Sequence, residues 1–201
     1  APSEMCIRDR AWAGETEHRL LTLSTEGRIH VWDLRSRSCP VTAYDTGLFG
    51  AKGLEVTMPH SMVPPYWAIG SSNGIVNMYG GQSSDSATTS TQLEELLAAP
   101  TSASVMDDVR LTARKSLGNL TTATTSMRFS HDAQLLALAS RNKKDALRVV
   151  HVPSLQAYSN WPTSGTPLGH VTSIDFSSHS EYLAMGNSRG RVLLYSLRSY
   201  L

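Results

Sequence analysis

A repeat that recurs four times constrains this chain more than any other feature. A short apolar run, a polar turn and an alternating strand recur over Leu20–Asp33, Trp67–Tyr79, Leu135–His151 and Tyr182–Tyr195. Aligned on Trp32, Met78, Val150 and Leu194, the copies stand 46, 72 and 44 residues apart. A unit of about 40 to 45 residues with four strands is the period of a propeller blade, and the wide middle gap equals one period plus an insertion of about 27 residues.

The turns carry the chemistry that such hairpins need. Gly27, Gly74 and Gly190 can take the positive φ of a tight turn without a Cβ penalty. The third copy has no glycine between Arg141 and Ala146 and is longer, so a different loop geometry is expected there. Upstream of the third and fourth hairpins, Ser126–Asp132 and Ser173–His179 alternate apolar and polar residues and end in polar turns, as innermost blade strands do. Val105–Leu117 and Ala157–Trp161 are the expected outer strands.

These units predict an all-β propeller of about four blades, near 13–45, 50–117, 120–162 and 170–198, with a Ser/Thr-rich insertion over 80–108. The first blade lacks a clear inner strand and the last lacks an outer one. Because propellers usually close by sharing a blade between chain ends, the parent is expected to hold about seven blades, and a four-blade piece leaves unpaired edges. Within the insertion, Gln92–Ala99 has the composition of two helical turns, and Ser83–Ser90 offers phosphorylatable hydroxyls. Residues 1–12 are set aside as a leader, since 1–10 show no apolar periodicity and Met5–Arg10 resembles translated sequencing adapter.

Composition narrows function mainly by exclusion. With 201 residues, 40% hydrophobic and 17% charged, the chain can bury a sizeable core. The net charge of +1 hides an asymmetry: residues 1–100 carry 7 Lys and Arg against 11 Asp and Glu, and residues 101–201 carry 11 against 6. Cys6 and Cys39 offer neither a disulfide framework nor a metal spacing, which fits a reducing compartment. No run approaches the roughly 18 apolar residues of a membrane span, and the N-terminal residues lack a secretory signal core.

No catalytic, cofactor or metal site is expected. Histidines 18, 30, 60, 131, 151, 170 and 179 form no close pair with ligand spacing, and no carboxylate cluster completes one. His131-Asp132 and His179 fall in equivalent turns, where polar side chains satisfy backbone groups. Neither a Gly-x-Ser-x-Gly elbow nor a phosphate-cradling Gly-x-x-x-x-Gly-Lys run occurs. Two surfaces remain as candidates. Arg141, Lys143 and Lys144, with Arg148 on the following strand, form either a solvated loop or a phosphate contact of steep salt dependence. Trp161, Pro162 and Pro167 form either a packed connection between blades or a partner surface.

Four strings carry a resemblance: Leu120–Phe129, Ser140–Arg148, Ser159–Gly169 and Tyr182–Tyr195. Together they resemble the C-terminal blades of the U3 small nucleolar RNA-associated protein 18 family, strongly over 117–198, fairly over 18–80, and not over 1–12 or the insertion. The resemblance implies a WD-repeat scaffold of the UTP-B subcomplex in the nucleolus. Its partners would be sister WD-repeat subunits, the U3 small nucleolar ribonucleoprotein and pre-rRNA, with no small-molecule substrate and no membrane. The family's helicase-recruiting motif lies outside this sequence. Only Trp32-Asp33 keeps the Trp-Asp dipeptide, and no Gly-His dipeptide with its polar network is evident. A generic adaptor, such as a ubiquitin-ligase substrate receptor, and a direct RNA-binding module remain open, since propellers host all three roles.

Overall fold

A computed structural model describes residues 7–13, 18–35, 38–45, 50–57, 66–80, 106–162 and 165–197. The expected helix over Gln92–Ala99, the serines of 83–90 and His60 lie outside the described residues. Sixteen strands among the described residues form four sheets. The first joins β1 (Ile7–Ala13), β2 (Arg19–Ser24), β3 (Arg28–Asp33) and β4 (Ser38–Asp45). The second joins β5 (Ala51–Val56), β6 (Tyr66–Ser71), β7 (Val76–Gly80) and β9 (Lys115–Leu117), while β8 (Met106–Leu111) extends the first sheet. The third holds β10 (Ser126–Phe129), β11 (Leu135–Ala139), β12 (Leu147–His151) and β13 (Gln156–Ala157). β14 (Val171–Phe176), β15 (Tyr182–Asn187) and β16 (Val192–Ser196) make the fourth.

Each sheet is a meander whose first strand packs beside the first strand of the next, so the inner strands run in the order β1, β5, β10, β14. This is a propeller arrangement of blades. Three apolar seams hold the blades together. Leu21, Leu23 and Val31 meet Leu54, Trp67 and Ile69 between the first two. Met78 and Ala68 meet Leu136 and Leu138 at the second seam, and Leu135, Ala137 and Leu147 meet Leu183 and Met185 at the third. Burying one such large side chain stabilises by about 1.5 to 3 kcal/mol.

The middle blades are covered on both faces, which explains why β6 and β11 are buried at every position. β15 and β16 are covered on one face only, so Leu183, Met185, Leu193 and Tyr195 pack inward. Val192 and Leu194, on the other face, are 74% and 65% exposed.

The hairpin glycines behave as expected, with φ of +83° at Gly27, +87° at Gly74 and +72° at Gly190. In the third copy Asp145 takes the left-handed position at φ +57°. An aspartate tolerates that conformation because its short polar side chain can bond locally.

Two strand assignments are corrected. Of the leader 1–12 set aside from the sequence, residues 7–12 join Ala13 in β1, pairing with β2 from Asp9↔Leu23 to Ala13↔Arg19. Backbone pairing needs no apolar periodicity, and Ile7 stays about half exposed, as does Trp12, which lines the cavity between the inner strands. The single outer strand expected over Val105–Leu117 is instead two strands in different blades. β8 pairs in parallel with β4, whereas β9 pairs antiparallel with β7. Sixty residues, with β5, β6 and β7 among them, separate β4 from β8, enough for the crossover that a parallel partner requires.

Candidate functional site

Antiparallel order puts alternate connections at opposite ends of each blade. The β2–β3, β6–β7, β11–β12 and β15–β16 turns therefore share one face with the connections between blades. On this turn face stands the basic stretch read from the sequence. Arg141, Lys143 and Lys144 are all exposed on the β11–β12 turn.

That turn is held from both sides. On one side Arg141 N donates to Thr125 Oγ1 at 2.9 Å, Thr122 Oγ1 donates to Ser140 Oγ at 2.8 Å, and Lys143 Nζ donates to Thr121 Oγ1 at 3.2 Å. On the other, Asp145 N donates to Gly169 O at 2.8 Å and Gly169 N donates back to Asp145 Oδ1 at 2.7 Å. His170 Nδ1 lies 3.0 Å from Arg141 O as the donor, and Ser188 N donates to His170 O at 2.9 Å. Asn187 Nδ2 donates to Leu168 O at 3.1 Å. The connection 168–170 thus ties the turn of the third blade to that of the fourth.

The sequence candidates do not all gather there. Arg148 sits on β12, half-buried, and its guanidinium donates to Leu147 O at 2.7 Å rather than reaching the turn. Trp161 stands edge-on to Tyr195 with ring centroids 5.2 Å apart, packed against the third seam. Pro162 is half-buried beside it and Pro167 is exposed. Sequence reasoning passed over Arg189 and Arg191, exposed on the β15–β16 turn. Their place in the repeat, equivalent to that of Arg141, is the sequence signal that points to them.

Polar side chains also tie the blades. Arg128 on β10 donates to Glu55 Oε1 on β5 at 3.0 Å and stands 3.5 Å from Asp175 on β14, facing a cavity of about 440 Å³ between the inner strands. Burial pushes the Glu55 carboxyl up to about 7 against the pull of Arg128. Asn77 Nδ2 donates to Asp45 Oδ2 at 2.6 Å, and the Tyr79 hydroxyl bonds the same carboxylate across the first seam. Trp32 Nε1 donates to Thr22 Oγ1 at 2.9 Å, tying β3 to β2 within the first blade. In the β10–β11 and β14–β15 turns, Ser130, Asp132 and Ser177 accept backbone N–H bonds. Among the described residues no group of three or more His, Cys, Asp and Glu could hold a metal, and no helix is long and apolar enough to cross a membrane.

Comparison with known proteins assigns the chain. It is 32% identical over 194 residues, 96% of its length, to the U3 small nucleolar RNA-associated protein 18 homolog of Arabidopsis thaliana. The Homo sapiens homolog is 34% identical over 179 residues, 88% of the chain. The chain belongs to the U3 small nucleolar RNA-associated protein 18 family. The Saccharomyces cerevisiae protein of that name is 44% identical over 133 residues, 66% of the chain. The chain spans 31%, 28% and 19% of these three relatives' own lengths. No family model matches it. Among solved structures, the computationally designed Ika4 protein is similar in fold, with a TM-score of 0.61 at 14% identity, covering 96% of this chain and 92% of that one.

Proposed function

We propose that the chain is a non-catalytic docking unit in small-subunit ribosome biogenesis, acting with the U3 small nucleolar ribonucleoprotein in early pre-rRNA processing toward 18S rRNA. The observation that carries this reading is identity of 32% to 44% to relatives named for association with U3 small nucleolar RNA. The described surface supports it. The turns are polar and tied to the blades by backbone bonds, a construction suited to holding neighbours rather than transforming a substrate.

On this reading the protein works in the nucleolus beside other WD-repeat subunits of the UTP-B subcomplex. The half-buried Trp161 with Pro162, and Pro167, present one contact surface to those subunits. In a longer parent of about seven blades, a further blade covers Val192 and Leu194, whose alternation matches the buried face of a middle blade.

Affinity purification of the tagged full-length protein, followed by RNA and protein identification, tests the proposal. U3 RNA and sister WD-repeat subunits are the expected yield. Recovery of cullin-type ligase components without U3 RNA would overturn it in favour of a generic adaptor.

A further inference from the structure

We propose that the turn face of the third and fourth blades is a track for RNA phosphates, formed by Arg141, Lys143 and Lys144 on one blade and Arg189 and Arg191 on the next. The inference deepens the proposed function, since it names the RNA backbone as a direct partner of this surface.

The argument begins with pairing. Elsewhere the arginines of ion pairs have carboxylate partners on the chain: Arg19 and Arg35 share Asp33, Arg28 faces Glu26, and Arg128 lies between Glu55 and Asp175. Among the described residues, the five cations of the track have no ion pair, and all five are exposed. The two turns, 141–146 and 187–191, contain one carboxylate, Asp145. Its Oδ1 accepts from Gly169 N, so it serves the loop rather than neutralising a neighbouring cation.

The second step is rigidity. Because the 168–170 connection bonds to Asp145 and Arg141 on one side and to Asn187 and Ser188 on the other, the two basic turns are fixed relative to each other. Less ordering entropy is then lost when an extended polyanion lies across both. Neither turn holds an aromatic residue, so base stacking is absent and binding is expected to be indifferent to sequence.

The test uses the purified chain and a 5′-labelled single-stranded oligouridine of about 20 nucleotides, read by fluorescence anisotropy across a salt series. For single strands the logarithm of affinity falls with that of salt by about 0.7 per neutralised phosphate, so five contacts give a slope near −3.5. R189A/R191A is expected to bring the slope to about −2, and R141A/K143A/K144A to about −1.4. Lys115→Ala, on the outer strand β9 opposite mid-strand Met78 and off both turns, is expected to leave it unchanged. Thermal unfolding of each variant confirms that the exposed substitutions leave the fold intact.

Absence of salt-dependent binding, or a slope that neither set changes, overturns the track. So does a polyglutamate peptide that competes as well as RNA, which would give the face to an acidic protein. If U3 RNA co-purifies with the full-length protein but the chain binds no oligouridine, the track falls and the assembly role stands. If the chain binds RNA through these residues but no U3 RNA co-purifies, the converse holds.

Discussion

Gly74 and Gly190 occupy equivalent turns, yet alanine at the two positions should have very different consequences. Both have left-handed φ, +87° and +72°. Imposing that conformation on alanine costs about 1 to 2 kcal/mol, offset by about 0.4 to 1 kcal/mol from a less flexible unfolded chain. At Gly190 an added Cβ meets nothing within 4 Å, so the net loss is about 0.5 to 1 kcal/mol. At Gly74 the Cβ would lie 2.5 Å from Leu120 O and 2.7 Å from Thr122 O. Those are backbone atoms of the connection to the third blade, and Thr124 N donates to Ser71 O at 3.0 Å beside them. Relieving the overlap requires a backbone shift, adding about 2 kcal/mol. For a chain of this length the difference corresponds to a separation of about 4 to 8 °C in Tm. Thermal unfolding followed by tryptophan fluorescence measures it. Asparagine sharpens the comparison, since it accepts the left-handed region but keeps a Cβ: it should recover most of the loss at 190 and little at 74. Equal Tm shifts for the two alanine variants would refute the idea that the 118–125 connection is seated on the Gly74 turn.

Three further outcomes are expected. Because the folded Glu55 carboxyl is raised to about 7 from its ordinary 4.5, the folded state binds more protons than the unfolded one between these values. Its stabilising contribution is thus present at low pH and lost as pH rises through that window, by up to about 3 kcal/mol, and Glu55→Gln should flatten the slope in urea titrations from pH 4.5 to 7. Asp145→Ala, which removes the acceptor for Gly169 N, should cost about 1 to 2 kcal/mol by chemical denaturation, while Asp145→Asn costs less because the amide oxygen still accepts. Trp161→Ala should lower stability by about 2 kcal/mol, and a double-mutant cycle with Tyr195→Ala should return about 0.5 to 1.5 kcal/mol of coupling; zero coupling would leave Trp161 as contact surface alone.

The legible part of this fold is the part written in side-chain alternation. Ser126–Asp132 and Ser173–His179 read as inner strands from their alternation, and the structure has strands there over Ser126–Phe129 and Val171–Phe176; Gly27, Gly74 and Gly190 mark the hairpins that follow an inner strand because the backbone there demands positive φ. Edge pairing left no such trace. β1 joins β2 through main-chain bonds with Ile7 and Trp12 about half exposed, and the apolar stretch through Val109 and Leu111 does not show that β8 leaves the second blade for the first. The basic turn is visible as a string and the repeat pairs it with the turn of Arg189 and Arg191, but that the two turns are tied together through the 168–170 connection depends on how the blades stack. That is a property of the stacked blades. The bonds that tie Asp145 and Arg141 to Gly169 and His170 of the intervening connection were equally silent, because they join groups 24 and 29 residues apart.

The most direct test of the proposed role is the fate of ribosomal RNA when the full-length protein is depleted from cells. Pre-rRNA and mature rRNA would be quantified by hybridisation before and after depletion. Mature 18S rRNA is expected to fall, with its uncleaved precursor accumulating, while the large-subunit rRNA is maintained. Unchanged 18S production after complete depletion would contradict the assignment to small-subunit ribosome biogenesis.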